Sequence, residues 1–239
     1  VYSLDTHEPI YYRTFGGNEN DSRILRTIIE DLRTLGYNEL LVIFDRGYES
    51  EDNIVDMIQR EQSFLVCGKV SQKPVYSRIK RIQYDAHGVP VNMDYYEKEK
   101  LYLTQFEEDK LVPCKEQPDK MKRVRIKVNL FLNMNDRMDE LAKINQRIRD
   151  EKRAISQLNT EDSGVYSEDD IKKLKRKYEF HKFAMSKKKK LVITENEKAV
   201  SKAKSTAGFL ASISYKVDGD AKEQLALYAL RDEQEKYFE

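Results

Sequence analysis

The pattern of apolar and polar positions predicts that the chain opens in an α/β core. Residues 21–35 place apolar side chains at helical spacing, which predicts an amphipathic helix. Apolar runs at residues 40–44 and 63–70 have the length of buried strands. Ser50 lies between them as a good N-cap for a helix through Arg60. A hairpin of two short strands is predicted before the first helix, so strands and helices alternate as they do in α/β sheet proteins.

Residues 71–205 follow a different pattern and are predicted to form an insertion. Their first half alternates as strands do, at residues 75–82, 101–106 and 123–132. Their second half carries two apolar stripes at helical spacing, the later one running from Ile171 to Met185. We therefore expect a core of residues 1–70 and 206–239, interrupted by an insertion subdomain of strands followed by Lys-rich helices.

The first candidate for chemistry is Asp45, which ends the apolar run at residues 40–44 abruptly. Gly47 follows and can take the backbone geometry of a sharp exit from a sheet. Open α/β sheets commonly bind ligands at such strand ends, which makes Asp45 a candidate ligand-binding carboxylate. An aspartate at this place can also serve only to stabilise the following turn through its own backbone.

The second candidate is a row of three side chains near the C-terminus. Tyr228, Arg231 and Glu235 are spaced by three and four residues, so a helix would carry them on one face. That face offers a hydroxyl, a fork of donors suited to phosphate and a carboxylate suited to a hard cation. The row indicates a phosphodiester site. The same spacing also occurs in surface rows of ion pairs on ordinary helices.

Together the two segments resemble the DDE transposases of bacterial insertion sequences, in the insertion-sequence-four group. That group has a strand-terminal Asp in an Asp-Arg-Gly-Tyr context and a Tyr-x2-Arg-x3-Glu-x6-Lys signature on a C-terminal helix. The resemblance covers residues 1–70 and the chain from about 205 onward. It implies an α/β, ribonuclease H-like catalytic core interrupted by a large mixed insertion, β first and then α. The family's first catalytic Asp would precede Val1, with its strand missing here, and the signature Lys would follow Glu239.

The resemblance also implies the roles of individual residues. Asp45, Glu235, Arg231 and Tyr228 would be catalytic, and the two carboxylates would bind metal. Two Mg²⁺ or Mn²⁺ ions per complete site would support the reaction. Arg231 would contact DNA, and Arg46 beside Asp45 would do the same. With one of three acids outside the chain, we expect this chain to be inactive alone.

No second metal cluster is evident in the sequence. Asp5 is a tempting substitute for the first acid but falls at the predicted hairpin turn, and Asp21 would be the next choice. Cys67 and Cys114 are too few for a zinc site or a disulfide framework. The three histidines are scattered along the chain.

The charge is nearly balanced, with a formal net charge of +1, but unevenly distributed. Between positions 172 and 190 ten basic residues face Glu179 alone. This segment includes the run Lys187, Lys188, Lys189 and Lys190, which predicts contact with DNA phosphates. Runs of this kind are also common on solvated helix faces.

These features predict a partner, an assembly and a location. We expect the chain to bind double-stranded DNA as transposon ends and target, and to act as a homodimer when full length. No apolar stretch reaches the length of a membrane span, so we expect a cytoplasmic, nucleoid-associated protein without membrane contact. Two alternatives are a decayed or domesticated fragment that binds DNA without cutting it and a protein-interaction module.

Overall fold

A computed structural model describes most of the chain. The residues described are 1, 3, 6, 8–16, 21–161, 166–186 and 191–235. For residues 21, 22, 157–161 and 231–235 only the backbone is described. The predictions for Asp5 and for Lys187 to Lys190 therefore concern residues outside the described part of the chain.

The described residues form both α-helices and β-strands. The helices are α1 Asp21–Thr34, α2 Glu51–Gln59, α3 Lys73–Ile79, α4 Met134–Glu161, α5 Glu168–Lys177, α6 Glu197–Thr206 and α7 Ala221–Glu235. The strands are β1 Leu41–Phe44, β2 Ser63–Cys67, β3 Asp94–Tyr96, β4 Leu101–Pro113, β5 Met121–Leu132, β6 His181–Met185, β7 Leu191–Glu195 and β8 Phe209–Tyr215.

Six strands form one mixed sheet in the order β1-β2-β8-β5-β4-β3. Strands β1 and β2 are parallel and are joined through α2, as parallel strands require a crossover. Strand β8 pairs antiparallel with β2, and β4 pairs antiparallel with both β5 and β3. Strand β1 lies at one edge of the sheet, and the chain leaves it at Asp45.

The four elements predicted between residues 21 and 70 are confirmed in type. The hairpin predicted before them is not, because residues 10–13 carry no strand, although the backbone N–H of Ser3 donates to the carbonyl oxygen of Glu8 at 3.0 Å. Helix α1 buries Ile29 and Leu32 and is followed by Gly36, whose φ of +96° favours glycine. The hydroxyl of Ser50 accepts a hydrogen bond from the backbone N–H of Asn53 and caps α2. Strands β1 and β2 follow the two apolar runs.

Two later predictions are wrong as well. Residues 75–82 were expected as a strand, but α3 occupies most of them, because Pro74 suits a first helical turn and Val75 and Ile79 bury one face. Met185 was expected on a helical stripe, but it ends β6, which pairs with β7 in a separate two-stranded sheet. The segment has too few apolar positions, over too short a length, for their spacing to distinguish a hairpin from a helix.

The chain divides into two compact units, residues 1–132 with 210–239 and residues 133–209. The expected insertion at residues 71–205 is therefore split. Its strands β4 and β5 belong to the six-stranded sheet, and the end of β5 is buried from Val128 to Leu132, the amide of Asn129 included. Its helical half corresponds to the smaller unit.

The smaller unit has a core of its own. Ile155, Ile171, Tyr178 and Phe183 pack together between α4, α5 and β6. The buried carboxylate of Glu151 accepts hydrogen bonds from the backbone N–H groups of residues 179 and 180. It also lies 2.9 Å from Nδ1 of His181. No described helix in either unit is long and apolar enough to cross a membrane.

Candidate active site at the end of strand β1

Asp45 lies where β1 gives way to a short 3-10 helix, Arg46–Tyr48. Its carboxylate oxygen Oδ1 accepts a hydrogen bond from the backbone N–H of Arg46 at 2.6 Å. The carboxylate thus caps the turn, which is the local role that an aspartate at a strand end can play. Asp45 and Arg46 are both exposed, so the cap leaves the carboxylate accessible from solvent.

Tyr228 is brought to Asp45 from the far end of the chain. Its hydroxyl donates to Asp45 Oδ1 at 3.2 Å, across 183 positions of sequence. The contact places the side of α7 next to the end of β1. Arg231 and Glu235 lie further along the same helix, with only their backbone described. The structure therefore joins two of the four predicted catalytic residues.

The beginning of α7 is fixed by its own caps. Asp220 accepts from the backbone N–H of Glu223, and the Glu223 carboxylate accepts from the backbone N–H of Asp220, each at 2.9 Å. This reciprocal pair is a capping box with aspartate at the cap. Gly219 precedes it with a φ of +88°, a conformation that side chains rarely adopt. The helix therefore begins at a defined residue.

A buried polar network lies under the first turn of α7 and was not predicted from the sequence. Gln224 and Asn129 are both completely buried, and the Nδ2 of Asn129 donates to the Oε1 of Gln224 at 2.8 Å. The sequence does carry one signal, since Gln224 precedes Tyr228 by one helical turn on the same face. A polar residue at such a position usually indicates a specific partner inside the protein.

Glu49 is a second residue that sequence reasoning missed. It follows the 3-10 helix, and its side chain is completely buried. Gln72 donates to its Oε2 at 3.0 Å, and the Lys69 ammonium lies 3.7 Å from the same atom. Its Oε1 has no hydrogen-bond partner, and neither does Oδ1 of buried Asn53. Burial raises the pKa of Glu49, against the opposing effect of Lys69.

Among the predicted metal ligands, only Asp45 has a described side chain. Asp45 offers an exposed carboxylate, a hard oxygen ligand of the kind that Mg²⁺ and Mn²⁺ prefer. The described residues hold no group of three His, Cys, Asp or Glu side chains that could bind a metal ion. Asp45 alone therefore offers the chemistry of one ligand for such a cation.

The chain is a mixed α/β sheet protein with a carboxylate at the carboxyl end of a strand, the place where open α/β sheets commonly bind ligands. A family model described as the transposase DDE domain matches residues 1–231, and the chain belongs to that family. No curated protein and no solved structure matches it. Membership implies a transposase function with DNA binding, and the mixed sheet is consistent with a ribonuclease H-like fold.

Proposed function

We propose that the chain is the catalytic domain of a DDE transposase of the insertion-sequence-four group. A transposase of this group would hydrolyse phosphodiester bonds at transposon ends and transfer the freed strands to a target. The hydrogen bond from Tyr228 to Asp45 supports this most directly. That contact lies between the two segments that carry the group's signatures, although 183 positions separate them.

Each residue of the site has a role in this proposal. Asp45 would hold metal from the end of β1, and Glu235 would hold it from α7. Divalent metal bound there would activate the attacking oxygen and stabilise the leaving one. The guanidinium of Arg231 would grip a phosphate with two parallel hydrogen bonds. Tyr228 would orient the Asp45 carboxylate through the observed hydrogen bond.

Tyr228 and Glu235 are seven residues apart (235 − 228), which corresponds to about two turns of a helix. Asp45 and Glu235 would together hold the divalent metal. Two ions per complete site would supply the chemistry, since one can assist the attacking oxygen while the other stabilises the leaving oxygen.

Duplex DNA is the proposed partner, and the protein would bind two ends as a homodimer. Arg46 is exposed beside Asp45, so it can meet a phosphate that reaches the site. In the smaller unit, Lys172 and Lys173 of α5 are exposed and form only surface ion pairs with neighbouring aspartates. Such pairs contribute little and can be exchanged for phosphates. The run Lys187 to Lys190, which lies outside the described residues, would supply further positive charge for DNA phosphates.

The proposal is tested by the coupling between metal and DNA. A metal ion held by Asp45 and by a phosphate oxygen binds protein and DNA together, so each ligand should strengthen the other. We would measure the affinity of a short duplex at constant ionic strength, with and without Mn²⁺. The variants are Asp45→Asn and, as a matched control, Asp52→Asn, an exposed aspartate in the first turn of α2.

Mn²⁺ should strengthen duplex binding by the unaltered chain and by Asp52→Asn. The increase should vanish in Asp45→Asn, while binding without metal stays close to normal. Equal strengthening in Asp45→Asn would show that Asp45 is not a metal ligand. Absence of any duplex binding would favour a protein-interaction module instead.

A further inference from the structure

The polar network beneath α7 links three strands to one helix. Asn129 of β5 lies at its centre, and its Oδ1 accepts from Nε2 of Gln105 on β4 at 2.9 Å. Its Nδ2 donates to the hydroxyl of Ser212 on β8 at 2.9 Å and to Oε1 of Gln224 at 2.8 Å. The hydroxyl of Ser214 donates to the same Oε1 at 2.8 Å. One buried side chain of α7 thus meets the middle of the sheet.

The network is complete on the helix side as well. Nε2 of Gln224 lies 3.3 to 3.4 Å from the carbonyl oxygens of residues 217, 218 and 219, which lead into α7. The ammonium of Lys127 donates to two of the same carbonyls at 3.0 Å. Every side-chain oxygen and nitrogen of Asn129 and Gln224 therefore has a partner. Because donors and acceptors alternate along the chain of amides, the network accepts one orientation of Gln224 only.

Gln224 lies on the same face of α7 as the predicted catalytic residues. Positions 224, 228, 231 and 235 are separated by four, three and four residues, so helical periodicity places them on one face. A turn of α7 about its axis by one residue, about 100°, would carry that whole face away from β1. It would also withdraw Gln224 from Asn129 and Ser214 and leave buried polar groups unpaired, which is strongly unfavourable. Apolar contacts alone, such as those of Ala221 with Leu103 and Phe131, specify rotation less sharply.

We propose that Gln224 is a positioning residue that locks the rotation of α7, so that the face with Tyr228, Arg231 and Glu235 points at Asp45. The rotational lock stands on the described contacts. Its consequence for metal binding rests on the proposed function. Gln224 itself contacts neither metal nor DNA and acts through the residues one to three turns further along.

Photocrosslinking tests the lock without any metal or activity. The photoreactive amino acid p-benzoylphenylalanine would replace the residue at position 228, where the tyrosine ring already reaches Asp45. Mass spectrometry would then map the residues that it captures. The backgrounds are the otherwise unaltered chain, Gln224→Leu, Ser214→Ala and Gln62→Leu. Gln62 is a matched control, because it is a buried glutamine that bonds to the backbone at residue 40, away from α7.

In the unaltered background and in Gln62→Leu, capture should fall on the loop of residues 45–48. In Gln224→Leu it should shift to other residues, with a severalfold loss from the loop. Ser214→Ala, which removes one hydrogen bond from Oε1, should show a smaller shift in the same direction. An unchanged pattern in folded Gln224→Leu would overturn the proposal. If that variant does not fold, an unchanged pattern in Ser214→Ala would do the same.

Mn²⁺ affinity, measured by electron paramagnetic resonance on the same variants without the photoreactive group, separates the lock from the proposed function. It should fall by about tenfold or more in Gln224→Leu, since loss of groups that orient metal ligands typically weakens metal binding by 10- to 100-fold. Gln62→Leu should retain it. A shifted crosslink in Gln224→Leu, together with Mn²⁺ binding that Asp45→Asn leaves unchanged, would keep the lock and reject the metal site.

Discussion

Two buried polar clusters flank the contact between Asp45 and Tyr228, and they are built in opposite ways. Under α7, the amides of Asn129 and Gln224 have a partner for every polar atom. Behind Asp45, the buried side chains of Glu49 and Asn53 each have one oxygen without a partner.

The difference indicates a division of labour within the site. A fully paired buried network stabilises one geometry, because any other rotation of the helix would leave buried polar groups unpaired. Such a network suits a helix that must present one face. A buried carboxylate with an unpaired oxygen lowers stability where it lies. The loop at the end of β1 is therefore the less stable half of the site, held by Lys69 and Gln72 rather than by a closed network.

The largest expected effect is on the complete network. Asn129→Leu should lower the free energy of unfolding by about 3 kcal/mol, because it leaves buried groups on Gln105, Ser212 and Gln224 with fewer partners. Urea denaturation measures the change. Asn135→Leu replaces an exposed asparagine in α4 and should change stability by no more than about 0.5 kcal/mol. Equal changes in the free energy of unfolding of the two variants would show that the buried network does not stabilise the fold.

A smaller effect, with a characteristic pH dependence, is expected at Glu49. Burial raises the pKa of Glu49 above its ordinary value of 4.5, so the folded chain holds the proton more tightly than the unfolded chain. This contribution to stability is complete below pH 4.5 and is lost as the pH rises through the folded pKa. Glu49→Gln should therefore gain stability relative to the unaltered chain as pH increases from 4.5 to 8. A constant difference across that range would contradict the assignment.

The smallest effect is expected at Glu61, a half-exposed carboxylate. Its pKa is shifted downward, opposite to the shift of Glu49. Hydrogen bonds from Lys122 and Lys216 lower its pKa from 4.5 to about 2. Its contribution is present above pH 4.5 and is lost as the pH falls towards 2. In Glu61→Gln the decline of stability between these values should be shallower. An unchanged decline in acid denaturation profiles would show that solvent screening cancels the pairing.

Much of the candidate site was predictable because its signals are local. The apolar run that ends at Asp45 marks a strand end by itself, and the spacing of Tyr228 with Arg231 and Glu235 marks a helix face. The contact between Tyr228 and Asp45 followed only from the resemblance, since no local pattern joins positions 183 residues apart.

The rest was not predictable because it depends on distant partners. Asn129 interrupts an apolar strand, and its burial is tolerated because it pairs with Gln105, Ser212 and Gln224, the last of them 95 positions away. The short apolar segment at residues 75–82 suited a strand as well as a helix until packing decided between them. Strands β4 and β5 likewise resembled parts of an insertion, and only their pairing places them in the central sheet.

The central claim is that Asp45 and Glu235 bind the same metal ions from opposite elements. Titration of Mn²⁺, followed by electron paramagnetic resonance, would be carried out on Asp45→Asn, Glu235→Gln and the double variant. Ligands of one shared site are coupled, so we predict that either single change weakens Mn²⁺ binding nearly as much as both together. Losses that simply add in the double variant, or no loss from Glu235→Gln, would contradict a shared site.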